Sequence, residues 1–347
     1  MSVTRRAFVA AIALVAAASA LAPGALLSAG RAARGGSAAS GPCASAIAKR
    51  TLCQPANDFV VRLLAARKLD GLVMMQSVKT GAALVVAGTA NAPGGGHPSA
   101  ISRAPLLPLS TVKLMTAASW LDHEKNEDSR AGKATADTLS KMLVDGLDDP
   151  GRLLALDLRR AVGSEAVLDD LTRFGFPRCA KSVPSTPDSP RPCVALSAKT
   201  IDADWASALS IGEANLTVSL AQLSGFLRAI GNGWKPILSA APSSRRKPGQ
   251  MVSAATAIAL QRLMLQTVET GTAKGIRGRL GAQWKLGGKT GTGPAQEQPY
   301  DGVFAGLVFD ENSVAQYTAI CYVQHGGPGG GPPAEIAADT AKFILGL

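Results

Sequence analysis

The feature that most constrains the fold is the position of the strand-like segments, which lie at both ends of the chain. Two apolar runs, Leu72–Val78 and Ala82–Gly88, are joined by a short turn, and three more follow at Trp284–Thr292, Gly302–Asp310 and Ala315–Gln324. The segments between them have mostly helical periodicity. We therefore predict an α/β fold of the α+β type. One antiparallel sheet, flanked by helices, is assembled from distant parts of the chain, and an all-helical lobe packs against it.

The predicted helices are marked by apolar periodicity and by the residues that begin and end them. Ser164 has the character of an N-cap, and Gly163 and Gly271 end helical runs. The predicted helices are Asp58–Leu69, Ser110–His123, Leu153–Val162, Ser164–Gly175, Val218–Ile230, Val252–Glu269 and Glu335–Leu347. A cleft is expected where the helical lobe meets the sheet.

The N-terminus has the pattern of an export signal. Arg5 and Arg6 precede an apolar run at residues 7–22. Cleavage after Ala20 fits a small-x-small pattern, whereas retention would make the same run a membrane anchor. We therefore predict a signal peptide or N-terminal anchor in residues 1–29. The expected location is the periplasm or the outer face of the inner membrane.

The rest of the chain is predicted to be a linker at residues 30–57 and a single domain at residues 58–347. The linker begins with a segment rich in Gly, Ala and Ser. The formal net charge is +11, and residues 1–50 contain six basic residues and no acidic ones. This charge suits contact with anionic envelope polymers or lipid headgroups. No basic run interleaved with aromatic residues indicates nucleic-acid binding.

The cysteines are able to form disulfide bonds if the chain is exported, because the space outside the cytoplasm is oxidising. From proximity in the sequence we predict the pairs Cys43–Cys53 and Cys179–Cys193, with Cys321 left as a free thiol in a strand. The three histidines are scattered without the spacing of metal ligands, so no metal site is expected. No cofactor is predicted.

Two short motifs each occur twice, and their context separates the copies. Ser-x-x-Lys is found at Ser110–Lys113, at the head of an apolar helical pattern, and at Ser244–Lys247, in a polar loop rich in Pro and Arg. Lys-Thr-Gly is found at Lys289–Gly291, in a predicted strand, and at Lys79–Gly81, in a predicted hairpin turn. Only the first copy of each pair has a setting that would hold its side chains together, so those two copies are the candidates.

The chemistry of the first copy follows from its position at a helix start, where a serine and a lysine three residues apart come within hydrogen-bonding reach. Lysine can accept the proton of a serine hydroxyl only when burial or a second cation lowers its pKa. Apolar neighbours would bury Lys113, and Lys289 would supply the second cation. The helix N-terminus would also stabilise an oxyanion at Ser110. The alternative is that Ser110 is only an N-cap and Lys113 a solvated side chain.

These motifs resemble those of the penicillin-binding transpeptidase domain, which belongs to the superfamily of the serine β-lactamases. Further segments resemble the same family, namely Ser210–Val218, Val268–Ala273, Phe304–Leu307 and the glycine-rich loop 326–331. The resemblance covers about residues 58–347 and implies a penicillin-binding transpeptidase-like fold.

The resemblance also implies a role for the residues of the Ser-x-x-Lys motif. Ser110 would be the acylated nucleophile and Lys113 its general base. The backbone N–H groups of Ser110 and Thr292 would form the oxyanion hole. The implied partners are the peptidoglycan stem peptides that end in D-Ala-D-Ala, and β-lactams.

The Lys-Thr-Gly-Thr strand would face the substrate. By the resemblance, Lys289, Thr290 and Thr292 would bind the terminal carboxylate of the stem peptide. Gly291 would let the substrate backbone lie close to the strand.

One motif of the family is missing. Between Ser110 and Lys289 the family has Ser-x-Asn or Tyr-x-Asn, yet this interval has no tyrosine, and no asparagine in it follows a serine by two residues. By position the motif should lie in residues 146–152, where Asp148 or Asp149 would accept a substrate N–H in place of the asparagine carbonyl. No hydroxyl is present there to relay a proton to the leaving group, and its loss would cost on the order of 100-fold in rate.

The sequence leaves three functions open. The first is an exported serine D,D-transpeptidase or carboxypeptidase that acts on peptidoglycan stems and is acylated by penicillins. The second, which the missing motif favours, is a non-catalytic or weakly catalytic binding or scaffold protein of the same fold. The third is a β-lactamase, although nothing resembles the glutamate-containing loop of class A enzymes. Glu213-x-Asn215 looks similar to it but belongs to the transpeptidase-like segment.

Overall fold

The computed structural model describes residues 41–124, 136–176, 202–213, 216–232, 251–293 and 299–347. The predicted signal or anchor and the predicted Cys179–Cys193 pair lie outside these ranges. Within them, no helix is both long and apolar enough to cross a membrane.

Five strands form one antiparallel sheet in the order β2-β1-β5-β4-β3. The strands are β1 Asp70–Ser77, β2 Ala83–Gly88, β3 Lys285–Thr292, β4 Gly302–Phe309 and β5 Ala315–Gln324. The pairing of β1 with β5 joins the two ends of the domain, from Asp70 opposite Gln324 to Ser77 opposite Tyr317. The predicted antiparallel sheet is therefore confirmed, and β3, which carries the Lys-Thr-Gly-Thr motif, is an edge strand.

Helices surround this sheet. In the described ranges they are α1 Ala44–Lys49, α2 Gln54–Ala66, α3 Pro98–Arg103, α4 Lys113–Glu124, α5 Ala136–Leu143, α6 Asp148–Arg173, α7 Ala203–Leu209, α8 Leu220–Gly231, α9 Ala254–Glu269 and α10 Pro332–Leu345. Gly163 breaks α6 with φ +83° and ψ 164°, where the sequence predicted one helix to end and another to begin. Ser219 and Ser253 cap α8 and α9 through side-chain oxygens that accept backbone N–H groups.

The sheet is buried on both faces, because the side chains of each strand alternate between two apolar cores. In β1, Leu72 and Met74 belong to one core, while Val73 and Met75 belong to the other. Helices α4 to α9 contribute to the first core, and α2 and α10 to the second. This arrangement confirms the predicted sheet with flanking helices and a helical lobe. It also places α4, which follows Ser110, in the same core as α8 and α9.

The folded part of the chain begins before residue 58, inside the segment that was predicted as a linker. Helix α1 and the start of α2 lie there, and a disulfide joins Cys43 to Cys53. Both cysteines and Ala56 are buried in the second core. The prediction of a linker at residues 44–57 was therefore wrong. The few apolar residues of this segment pack into the second core, which the composition of the segment did not indicate. The predicted Cys43–Cys53 pair is confirmed.

Cys321 is a free thiol within β5, as predicted. It is fully buried, and burial raises the pKa of the thiol well above its ordinary value. The group therefore stays a protonated, apolar side chain of the core.

Removal of the Cys43–Cys53 disulfide should lower the free energy of unfolding by about 3 kcal/mol, because the bond restricts the unfolded chain. The measurement is urea denaturation of the Cys43→Ala/Cys53→Ala variant beside the wild type. A reductant should destabilise the wild type by a similar amount and leave the double variant unchanged. Equal unfolding midpoints for the oxidised wild type and the double variant would contradict this prediction.

Candidate active site

Ser110 lies in a tight turn that is held between the strand β3 and the helical lobe. A 3-10 turn spans Leu109–Val112, and α4 begins only at Lys113, so the predicted helix starts with a tighter turn than expected. Leu109 has φ +50°, a left-handed conformation that costs a non-glycine residue about 1–2 kcal/mol. A side chain at Gly212 or Gly291 would collide with Leu109, since an added Cβ would lie 2.2 Å from its carbonyl oxygen or 2.9 Å from its Cβ. These glycines therefore make room for the strained turn.

The turn leaves the Ser110 side chain partly exposed. Its hydroxyl makes no hydrogen bond to any part of the protein that the structure describes. A Cβ built at Gly291 would lie 3.3 Å from the Ser110 backbone nitrogen, so the serine backbone is adjacent to the Lys-Thr-Gly-Thr strand. The predicted proximity of the two motifs is thus present, and the hydroxyl is free to meet a substrate.

Lys113 is entirely buried, with 0% of its surface exposed. Its Nζ donates hydrogen bonds to the Gly146 carbonyl oxygen at 2.7 Å and to Asp148 Oδ1 at 2.6 Å. Burial lowers the pKa of Lys113 below its ordinary value, and the Asp148 carboxylate opposes that shift. The lysine therefore has the desolvated setting that a proton acceptor needs, but its amine contacts Asp148 rather than Ser110 in the resting protein.

Lys289 is the second buried lysine, with 1% of its surface exposed. Its Nζ donates to the Thr290 carbonyl oxygen at 2.9 Å, and it forms no ion pair within the described ranges. Burial, followed by the nearby Lys113 cation, lowers the pKa of Lys289 to about 7, although the Asp148 carboxylate acts in the opposite direction. Near neutral pH this lysine can therefore either hold or release a proton.

Gly146 lies between the two lysines. Its carbonyl oxygen accepts from Lys113, and a Cβ added to it would lie 3.9 Å from the Lys289 Nζ. The same added Cβ would lie 3.1 Å from Thr272 Cγ2. The segment Gly146-Leu147-Asp148 therefore occupies the place that the sequence assigned to the missing motif, with a glycine where a hydroxyl was expected.

The structure separates the two aspartates that the sequence could not tell apart. Asp148 is the first residue of α6, and its carboxylate reaches Lys113 while 54% of the side chain stays exposed. Asp149 is exposed and makes no hydrogen bond or ion pair to the described parts of the chain. Only Asp148 is thus brought into the site. Its carboxylate accepts a hydrogen bond from Lys113, a contact that the sequence did not suggest.

The remaining strand residues line the opening of the site. Thr290 is buried, and its Oγ1 lies 2.8 Å from Thr272 Oγ1. Thr292 is exposed, and its Oγ1 accepts the Gly329 N–H at 3.2 Å. The sequence placed Thr272 and the glycine-rich loop in segments that resemble the family but gave neither a role, because their positions beside Thr290 and Thr292 depend on the packing of distant segments.

Other charged groups near the site are already paired. Arg152 donates to Glu213 Oε2 at 2.6 Å and to Ser207 Oγ at 3.2 Å. The described ranges contain no group of three or more His, Cys, Asp or Glu side chains that could hold a metal ion. The chemistry that this site can perform with its own residues is therefore nucleophilic acyl transfer by a serine beside two desolvated lysines.

Replacement of Gly146 by serine should destabilise the protein, even though it adds a hydroxyl at the position of the missing motif. Gly146 has φ +79°, so a side chain there is strained by about 1–2 kcal/mol, and its Cβ would crowd the Thr272 methyl group. We expect both Gly146→Ser and Gly146→Ala to lower the melting temperature by a similar amount. A matched control is Gly225→Ala, because a Cβ at this helical glycine would meet nothing within 4 Å. A Gly146→Ser variant as stable as the wild type would contradict the prediction.

Comparison with known proteins points to one family. A family model described as the penicillin binding protein transpeptidase domain matches residues 156–342. That range contains Lys289–Thr292 and begins after Ser110 and Lys113. A search of curated protein sequences finds no match.

Solved structures of related proteins resemble this one in fold. A peptidoglycan glycosyltransferase from Burkholderia ambifaria has a TM-score of 0.61 at 18% identity, with 86% of this chain and 94% of that chain covered. The transpeptidase domain of a D,D-transpeptidase from Legionella pneumophila has a TM-score of 0.57 at 17% identity, with 84% and 93% covered. Penicillin binding protein 3 from Mycobacterium tuberculosis, complexed with aztreonam, has a TM-score of 0.60 at 18% identity, with 84% and 77% covered. At these identities the similarity establishes the fold alone.

Proposed function

Since the chain belongs to the penicillin binding protein transpeptidase domain family, we propose that it is an active-site-serine acyltransferase, with the activity of a D,D-transpeptidase or carboxypeptidase. The observation that carries this proposal is the pair of fully buried lysines, Lys113 and Lys289, beside the strained turn of Ser110. Burying two ammonium groups side by side is costly. Such an arrangement is typical of sites that tune lysine pKa values for chemistry.

In the proposed acylation step, Ser110 Oγ attacks the carbonyl carbon of the penultimate D-alanine. The serine proton passes to the neutral amine of Lys113, whose contact with Asp148 must loosen for this to occur. Catalytic hydrogen bonds that are absent in a resting enzyme often form only when substrate is bound. The developing oxyanion would accept hydrogen bonds from the backbone N–H groups of Ser110 and Thr292. The acyl group then passes to an amine or to water.

The edge strand β3 would bind the substrate. Within the described ranges its outer edge has no neighbouring strand, so an extended stem peptide can lie along it as an additional strand. Lys289 provides positive charge for the terminal carboxylate, and the exposed Thr292 hydroxyl provides a hydrogen-bond donor. Gly291 keeps the strand backbone close to the Ser110 turn.

The proposed location is outside the cytoplasm, in the periplasm or on the outer face of the inner membrane. The support is the pair of arginines followed by an apolar run in residues 1–29, which would act as a signal peptide or a membrane anchor. The proposed partners are peptidoglycan stem peptides and β-lactams. Both offer an amide carbonyl for attack by the serine and a carboxylate that this site would recognise.

A second candidate function is a binding protein of the same fold with weak or absent turnover. The observation that favours it is the contact between Asp148 and Lys113, because a carboxylate at 2.6 Å stabilises the ammonium form of the base. The absence of a hydroxyl at Gly146 acts in the same direction. No observation favours a β-lactamase, since Glu213 is paired with Arg152 and is not available to activate water.

The first experiment is the intact mass of the protein after incubation with penicillin. We expect a stable increase equal to one penicillin, which the Ser110→Ala variant should lose completely because the nucleophile is gone. Ser244→Ala is the matched control, since it removes the serine of the second Ser-x-x-Lys copy and should leave the adduct intact. No adduct with intact penicillin would favour the binding protein, and no adduct with destroyed penicillin would favour a β-lactamase.

Replacement of Asp148 by asparagine should move the pH profile of penicillin acylation to lower pH. The carboxylate raises the pKa of the proposed base Lys113, so its neutral amide counterpart lets that lysine lose its proton at lower pH. The acylation rate at pH 6 should therefore rise several-fold. Asp149→Asn is the control and should leave the profile unchanged, because Asp149 lies outside the site. A profile that stays in place in Asp148→Asn would contradict this role for the carboxylate.

A further inference from the structure

The proposed acylation requires a proton at the leaving nitrogen. When Ser110 forms an ester with the substrate carbonyl, the C–N bond breaks, and the departing amine must gain a proton because an amide anion is too basic to leave. Gly146 has no side chain to deliver that proton. Lys113 is occupied with the proton of Ser110, and the carboxylate of Asp148 is an acceptor when it is ionised.

Thr272 borders the space that a side chain at residue 146 would fill. Its Cγ2 would lie 3.1 Å from a Cβ added to Gly146, and Lys289 Nζ borders the same space at 3.9 Å. The threonine is exposed, so a substrate bound along β3 can reach it. The Thr272 methyl group and the Lys289 amine, whose pKa is about 7, therefore border the same space beside Gly146.

Thr272 is held in place by one backbone and one side-chain hydrogen bond. Its N–H donates to the Val144 carbonyl oxygen at 3.1 Å, which ties it to the segment that leads to Gly146. Its Oγ1 shares a hydrogen bond with Thr290 Oγ1 at 2.8 Å, which ties it to β3. A rotation of χ1 by about 120° would break this hydrogen bond and place the hydroxyl where the methyl group now lies, in the space beside Gly146.

On the basis of the proposed function, we infer that Thr272 is the catalytic hydroxyl that protonates the leaving nitrogen. The Thr272 hydroxyl gives its proton to the nitrogen as the C–N bond breaks, and the Lys289 ammonium returns a proton to the threonine oxygen. Lys113 gains the proton of Ser110 in the same step. Lys113 gains one proton and Lys289 loses one, so the total charge of the two lysines is unchanged. The amine leaves as a neutral group.

The test is the Thr272→Val variant, which keeps the shape of the side chain and removes the hydroxyl. Acylation should be measured with penicillin, whose leaving group is a nitrogen, and with a thioester of an N-acyl-D-alanine, whose thiolate leaves without a proton. We expect about a 10- to 100-fold slower reaction with penicillin and less than about a threefold change with the thioester. Thr270→Val is the matched control and should match the wild type, because Thr270 is exposed and bonds only within its own helix end.

The outcomes distinguish this inference from the proposed function. A wild type that neither substrate acylates overturns both. A wild type that is acylated, with Thr272→Val slowed equally toward both substrates, gives Thr272 a structural role and overturns the inference alone. An unchanged Thr272→Val variant also overturns it. A selective loss with penicillin supports it, since a folding defect would not depend on the leaving group.

Discussion

The structure of the site depends on the burial of two lysines around a single glycine. An ammonium group that is removed from water is stable only when nearby groups replace its hydration. Here the replacement comes from the Gly146 carbonyl and the Asp148 carboxylate for Lys113, and from the Thr290 carbonyl for Lys289. Mutual repulsion of the two cations then lowers the pKa of Lys289 further. The protonation state of Lys289 therefore depends on that of Lys113.

Such a site needs a rigid frame, and the sheet provides it. The strand β1, from the N-terminal part of the domain, pairs along its full length with β5, which connects through β4 to the edge strand that carries Lys289. Both faces of the sheet are covered by apolar cores. The strained conformation of Leu109 is stable only because Gly212 and Gly291 leave space for it on either side. The partial exposure of the Ser110 side chain is a consequence of that turn.

Much of this was accessible from the amino-acid pattern. All five strands lie within two residues of their predicted bounds, because strands that are buried on both faces appear in the sequence as continuous apolar runs bounded by turns. Context was the basis for choosing the Ser110 and Lys289 motifs over their duplicates, and this choice stays a prediction. The linker prediction failed at residues 44–57, where short helices gain their stability from a distant core and a disulfide. The sequence also could not distinguish Asp148 from Asp149. Which of two adjacent side chains faces Lys113 depends on how α6 packs against α4.

Local periodicity and motif spacing therefore specify the elements, the fold class and the candidate nucleophile, because each depends on residues that are close in the chain. The groups of the proposed site come from four separate segments, at Ser110–Lys113, Gly146–Asp148, Thr272 and Lys289–Thr292. Their distances depend on the pairing of strands and the packing of α6 against α4. Desolvation of the lysines, the contact of Asp148 with Lys113 and the position of Thr272 beside Gly146 are properties of that packing, and no sequence separation encodes them.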